Sequence, residues 1–233
     1  KAACRLCGAR SLAGALVPLA GDAPTNNNFV DADYNRETGL AGDASTKYLD
    51  SGRAGNADPQ DDRHWAIYST TALSNGDCSF GLDESGAFGN SQFRNGINNY
   101  LSCSSPDTAG ASNALFSNSG AAGFHGASRS NSASFVARSA GAVITKTVSS
   151  GSPPSDNAFV FARNLVGTGA NLHASTRLAF YSIGESISDL ALLDARVTAL
   201  VQRIQLSLST GLDASGYDDA TVAYLLAAYN NGA

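Results

Sequence analysis

The segment 177–204, RLAFYSIGESISDLALLDARVTALVQRI, constrains the fold most, because its hydrophobic period changes once. Its first part, 177–184, is rich in apolar and aromatic residues and predicts a strand. The apolar residues that follow recur at intervals of three and four, the pattern of one helical face. Ser186 or Ser188 is the predicted N-cap, and Asp189 lies in the first turn, where the helix dipole favours an anion. One strand followed directly by one amphipathic helix restricts the chain to few architectures.

Short strand patterns separated by turn residues precede this segment. They lie at 39–52, 64–71, 135–147 and 158–162, and Ser139-Ala140-Gly141 predicts a hairpin turn within the third. A second amphipathic pattern at 218–229 predicts a C-terminal helix that ends before Gly232. Many strands before two late helices predict a mainly β protein, an antiparallel β-sandwich with a helix after the last strand. We divide the chain into a lead-in (1–28), the sandwich with its closing helix (29–206), and a C-terminal linker and helix (207–233).

Charge and hydropathy exclude two classes of function. The net charge is −5 and the basic residues are scattered, which argues against a nucleic-acid-binding protein. The apolar stretches are far shorter than the ~20 residues that a membrane-spanning helix needs, so we expect no membrane insertion.

The four cysteines leave two interpretations open. Cys4 and Cys7 form a C-x-x-C pair, a spacing used in redox and zinc sites, but no second pair follows. The alternative is that they are free or buried thiols. Cys78 and Cys103 are candidates for neighbouring strands, with their bonding state open. We predict no metal site and no cofactor.

Five segments in order resemble laminin-G-like, concanavalin-like sandwich domains. They are GLAGDASTKYLDSG (39–52), HWAIYSTT (64–71), FVARSAGAVITKT (135–147), AFVFARN (158–164) and RLAFYSIGESISDLALLDARVTAL (177–200). The resemblance covers about residues 29–205 and implies a concanavalin-like jelly roll.

A narrower resemblance points to viruses of bacteria. Residues 9–61 and 180–200 are similar to sandwich domains of tail and fibre proteins of tailed bacteriophages, including cyanophages. The segment 218–233 departs from that pattern, since in those proteins such a helix usually precedes the sandwich. The resemblance implies a virion structural protein on the particle exterior, in a tail fibre, spike or head appendage. It also implies a homo-oligomer, with a trimer as one form, that contacts other virion proteins and host surface polysaccharide.

Some concanavalin-like sandwiches are glycosidases, which need two carboxyl groups across the scissile bond. Glutamate occurs only at 37, 84 and 185, and none is paired with another carboxylate at alternating strand positions. We therefore predict a non-enzymatic protein that contributes to glycan adhesion. A purely structural decoration or spacer domain is the alternative, and a glycanase the less favoured one.

Polar loops with an exposed aromatic residue are suited to sugar binding, because amides bond hydroxyls while a ring stacks on the sugar. The predicted glycan contacts are Asn98, Asn99, Tyr100, Phe124, His125 and Arg129. The alternative is that these aromatic residues fill the core, where we also place Trp65.

An acidic loop with Asp58, Asp61 and Asp62 is a candidate for Ca²⁺, a cation that takes oxygen ligands. It lacks the D-x-D-x-D-G spacing of a dedicated loop, so a solvated acidic turn is the preferred interpretation.

The apolar face of 188–204 allows packing on the sheet or pairing with copies of itself. Barely two heptads are too short to establish a coiled coil, so packing on its own sheet is the expectation. The terminal helix is the better candidate for oligomerisation.

Overall fold

Short strands are the main regular elements of the structure. The computed structural model describes residues 1–84, 91–95, 101–104, 114–117 and 120–209. The strands are β1 (Ala2–Arg5), β2 (Pro18–Ala20), β3 (Thr25–Asn27), β4 (Tyr34–Asn35), β5 (Gly39–Ala41), β6 (Tyr48–Ala54), β7 (Arg63–Ser69), β8 (Cys78–Asp83), β9 (Ser91–Asn95), β10 (Leu101–Ser104), β11 (Ala114–Phe116), β12 (Gly123–Arg129), β13 (Ser134–Ser139), β14 (Ala142–Thr147), β15 (Asn157–Val160), β16 (Arg163–Leu165), β17 (Gly169–Asn171) and β18 (Arg177–Gly184). The helices are α1 (Leu12–Ala15) and α2 (Leu190–Ser209), with 3₁₀ turns at Asp31–Asp33 and Gly55–Ala57.

The strands of the described residues form two sheets. The first sheet has the order β14-β13-β12-β7-β18-β1-β2, with β5 pairing β18 and β4 pairing β5. The second has the order β11-β10-β9-β8-β15-β6-β3, with β16 pairing β8 and β17. Every pair within the described residues is antiparallel except the parallel pair of β16 and β8. The predicted antiparallel β-sandwich is confirmed.

Strand β7 shows why the two sheets pack together. Trp65 and Ile67 point into the core between the sheets, and Ala66 on the opposite face belongs to a second apolar cluster beneath α2. The side chains of β7 therefore alternate between two faces that are both buried. The second sheet covers one face of the first sheet, and a helix covers the other. The expected core position of Trp65 is confirmed.

Helix α2 packs on the outer face of the first sheet. Its buried apolar residues recur with helical spacing: Leu190, Val197, Leu200, Val201 and Ile204. The predicted packing on its own sheet is confirmed. The predicted capping residue is wrong: the Leu192 amide donates to Oδ1 of Asp189 at 2.9 Å, so Asp189, and neither Ser186 nor Ser188, caps the helix.

The lead-in assigned to residues 1–28 is not separate from the sandwich. Strand β1 pairs with β18 from Ala2↔Ile183 to Arg5↔Phe180, and β3 pairs with β6 in the second sheet. A boundary at residue 29 therefore cuts through both sheets. The predicted second helix at 218–229 lies outside the described residues.

The hairpin of β13 and β14 turns at the predicted place. Ala140 and Gly141 have φ of 44° and 89°, the two positive values that a type I′ turn requires. Within the described residues, no helix is long and apolar enough to cross a membrane.

Candidate functional site

Three of the predicted sugar contacts are buried on strand β12. Phe124 packs in the cluster beneath α2, whereas His125 and Arg129 have no exposed surface. The prediction of an exposed site built from these residues is therefore wrong. Strand β12 lies between β7 and β13, so both its edges are paired and both its faces are covered. Asn98, Asn99 and Tyr100 lie outside the described residues.

The polar groups of β12 serve the interior. The ring nitrogens of His125 lie 2.9 Å from Oγ of Ser139 and 3.3 Å from Oγ of Ser69. The guanidinium of Arg129 lies 5.5 Å from the centre of the Phe135 ring and donates to the carbonyl of Val148 at 3.2 Å. These contacts engage both side chains with the interior of the sandwich, which is a structural role.

Two carboxylates of the acidic loop are engaged in other contacts. Asp58 is buried and forms an ion pair with Arg53, and Oδ1 of Asp62 accepts the Ser186 amide at 2.7 Å. Oδ1 of Asp61 is buried with no hydrogen-bond partner in the part of the chain that the structure describes. No three metal-ligating side chains group together within those residues. The solvated acidic turn is also wrong for Asp58, whose charge is compensated in the interior.

The C-x-x-C pair consists of two buried free thiols. Burial raises the pKa of Cys4 and of Cys7 to about 12, so both remain protonated at neutral pH. The Sγ of Cys4 donates to the carbonyl of Ala15 at 3.0 Å. Cys78 is also a buried free thiol. The expectation of neighbouring strands for Cys78 and Cys103 is wrong, because β9 lies between β8 and β10.

Hydrogen bonds and ion pairs engage several carboxylates of the described residues. Hydrogen bonds hold the pKa of Asp62 below its ordinary value, and those of Asp33 and Asp43 are low for the same reason in spite of partial desolvation. Glu185 forms an ion pair with Lys1 at 3.2 Å.

The outer face of the second sheet carries an aromatic surface that the sequence did not reveal. The rings of Tyr48 on β6 and Phe159 on β15 lie 4.6 Å apart at an interplanar angle of 34°. The ring of His173 meets Tyr48 edge-on at 6.0 Å. Neither Tyr48 nor Phe159 belongs to the core clusters between or behind the sheets. We call Tyr48, Phe159 and His173 the aromatic surface.

Strand register places polar groups beside these rings. Asp50 is opposite both Thr25 of β3 and Phe159 of β15, so it shares their face of the sheet. Its Oδ2 accepts from the side-chain amide of Asn157 at 3.3 Å, and its Oδ1 accepts from the Gly52 amide at 2.9 Å. An acceptor and an amide are thus held at fixed positions next to an aromatic ring, an arrangement suited to a polar ligand with a flat apolar face.

Two turns flank His173. The Ala44 amide donates to the carbonyl of Ala174 at 3.3 Å, and the Cys78 amide donates to that of Leu172 at 2.8 Å. These bonds bring the turn that begins at Asp43 and the turn that contains Asp77 to the two sides of the imidazole. Burial lowers the pKa of His173, although both carboxylates oppose the shift. The ring is therefore neutral at pH 7.

Pairing between segments distant in sequence creates the aromatic surface. The segment AFVFA predicts a buried strand, and Ala158, Phe159 and Val160 are indeed buried. Phe159, 8% exposed, is covered by the ring of Tyr48, a contact that becomes evident only once β15 is paired with β6. The available signal was the alternation of Tyr48, Leu49 and Asp50, in which only Leu49 is fully buried.

Comparisons with known proteins find only remote structural likenesses. No family model and no curated protein matches the chain. Similar solved structures include the NanB sialidase of Streptococcus pneumoniae, at 17% identity over 58% of this chain and 24% of that one, with a TM-score of 0.39. They also include domains LG4-5 of the mouse laminin alpha1 chain, at 12% identity over 74% of this chain and 48% of that one, with a TM-score of 0.41. The chain spans less than half the length of either, and likeness at this level carries no argument about activity or ligand.

Proposed function

We propose that this chain is a non-enzymatic adhesion module on the exterior of a tailed-bacteriophage particle, in a tail fibre, spike or head appendage. In this proposal the module binds host-surface glycan through the aromatic surface of the second sheet. The virion setting is supported by the sequence resemblance of residues 9–61 and 180–200. The adhesive role is supported by the half-buried ring of Tyr48 beside Asp50 and Asn157.

A sugar ring presents one flat face of C–H groups and a periphery of hydroxyls. The Tyr48 ring offers an apolar platform for that face, while the carboxylate of Asp50 accepts hydroxyl protons. The amide of Asn157 is held next to the same carboxylate. Such a shallow site binds weakly, and display on a homo-oligomer such as a trimer multiplies its effect. The proposed contacts require no metal or other cofactor.

The non-enzymatic part of the proposal is supported by the carboxylates. Asp50 accepts two hydrogen bonds, and the side chain beside it is the amide of Asn157 rather than a second carboxyl group. A surface of this kind can hold a sugar without a proton donor for the leaving group.

Binding to immobilised host polysaccharide, compared between the wild-type protein and Tyr48→Ala, tests this function. Truncating a central aromatic contact costs ~2 kcal/mol or more, so we expect about a thirtyfold or larger loss of affinity. Leu192→Ala is the matched control, because Leu192 is 45% exposed on α2, behind the opposite sheet. Wild-type binding that Tyr48→Ala leaves unchanged would refute the site. No wild-type binding at millimolar sugar would favour a purely structural domain.

A further inference from the structure

The carboxylates around the aromatic surface define the charge of its ligand. Asp50 lies two residues from Tyr48 on the same face of β6. Asp43 and Asp77 stand on the turns at either side of His173, fixed by the backbone bonds of Ala44 and Cys78 described above. Three acidic groups therefore border a surface whose other members are neutral.

Hydrogen bonds keep these carboxylates in place, and in spite of partial desolvation they lower the pKa of Asp43. Oδ1 of Asp43 accepts the amides of Ser45, Thr46 and Lys47 at 2.9, 2.8 and 3.0 Å. Oδ2 of Asp77 accepts the Ser175 amide at 3.4 Å. A carboxylate that receives backbone amides favours its charged form. The amides of Ser45, Thr46, Lys47 and Ser175 thus fix the positions of Asp43 and Asp77 at the border of the surface.

The neighbouring cations do not neutralise this charge. Nζ of Lys47 lies 2.6 Å from Asp33, and Nη1 of Arg163 lies 2.6 Å from Asp83. Within the described ranges, no lysine or arginine forms an ion pair with any of the three carboxylates at the aromatic surface.

We propose that this surface selects neutral saccharides and rejects acidic ones such as uronates, sialylated and sulfated glycans. The inference rests on the proposed function and names the ligand class of the same site. Hydroxyl groups donate to carboxylates, so a neutral sugar satisfies Asp50. A sugar carboxylate or sulfate in the same position meets like charge on three sides and offers no donor in exchange.

Matched probes separate charge from shape. Oligogalacturonate of one length is used as the free acid and as the methyl ester, which have the same rings and linkages, and lactose is compared with sialyllactose. The Kd of each is measured for the purified full chain by calorimetry. We expect the neutral member of a pair to bind ~10-fold more tightly at 10 mM salt, where the Debye length is ~30 Å. The ratio falls towards ~2-fold at 1 M salt, where that length is ~3 Å.

Charge variants test the origin of the preference. Asp50→Asn and Asp77→Asn each remove one charge with little change of shape, and each is expected to reduce the ratio about twofold to threefold. Glu185→Gln is the matched control, because it removes one negative charge from an exposed residue beside Lys1, where β18 ends in the other sheet. It leaves the ratio unchanged.

Each outcome decides between the two proposals. Binding that requires Tyr48 but prefers the acidic members, or shows no preference, overturns the inference and leaves the proposed function in place. A preference equally reduced by Glu185→Gln also overturns it, because net charge then explains the result. Binding of no neutral probe at millimolar concentration overturns both proposals.

Discussion

Acidification from pH 7 to pH 4.5 is predicted to destabilise the fold through two buried histidines. The ring nitrogens of His64 lie 2.5 Å from the carbonyl of Glu185 and 3.1 Å from Oγ of Ser182. His125 lies between Ser139 and Ser69 in the core. Burial lowers the pKa of each histidine from 6.5 to about 4, so both are neutral in the native protein at pH 7.

The sign of the effect follows from proton binding. Between pH 6.5 and pH 4 the unfolded chain binds more protons at these positions than the native protein, so the free energy of unfolding falls as the pH falls. One pKa unit corresponds to about 1.4 kcal/mol, so each histidine removes ~2–3 kcal/mol at pH 4.5. The two together remove ~5 kcal/mol, which is comparable with the entire stability of a domain, ~5–15 kcal/mol.

Urea denaturation at pH 7 and at pH 4.5 measures this loss. Trp65 is the only tryptophan in the sequence and is buried, so its fluorescence reports the transition. The variant His125→Gln is expected to halve the loss between the two pH values, whatever its stability at pH 7. His173→Gln is the control, since that ring is partly exposed and two carboxylates oppose the lowering of its pKa, so it is expected to reduce the loss much less than His125→Gln.

The carboxylates do not account for a loss of stability between pH 7 and pH 4.5. The pKa values of Asp33, Asp43 and Asp62 are already low in the native protein, and their unfolded value is 3.8, so their contribution is lost mainly below pH 4. An unfolding free energy that is flat between pH 7 and pH 4.5 would refute the reasoning. So would a His125→Gln variant that loses as much stability as the wild type.

Three further predictions concern packing and thiol chemistry. Gly39→Ala should lower the free energy of unfolding by ~3 kcal/mol or more. Gly39 has a φ of +97°, and a Cβ there would lie 2.1 Å from a backbone carbonyl oxygen. Gly141 has a φ of +89° but open space around it, so Gly141→Ala should lower the free energy of unfolding by only ~1 kcal/mol. Val197→Ala should cost ~2 kcal/mol by leaving a cavity beneath α2, and Leu192→Ala less than ~0.5 kcal/mol, both by urea denaturation; equal losses would contradict the packing of α2. The buried Cys7 thiol should resist a thiol reagent at pH 8 until the protein unfolds, and rapid labelling of native protein would contradict its burial.

Local patterns made several elements predictable. Strand β18 and helix α2 follow from a change of hydrophobic period within one segment, and the turn at Ala140-Gly141 follows from residues that accept positive φ. In each case the residues that decide the local structure are close to one another in sequence.

Positions decided by distant pairing were not predictable. The sequence of β12, GFHGASR, shows no alternation of apolar and polar residues. Its burial depends instead on its neighbours β7, β13 and α2. This is why Phe124, His125 and Arg129 were placed at the surface. Strands β1 and β18 likewise pair although they lie far apart in sequence. A prediction made one segment at a time assigns them to separate regions.

The central claim is that the outer face of the second sheet holds sugar. Chemical-shift mapping of backbone amides during titration with methyl-esterified oligogalacturonate or lactose, to ~10 mM, tests it most directly, since weak sites have Kd values near 1 mM. We predict that the shifted amides cluster at Tyr48, Asp50, Asn157 and His173, and that Tyr48→Ala abolishes the shifts. Shifts confined to α2 or to the edge strand β14, or no shifts at saturating sugar, would contradict it.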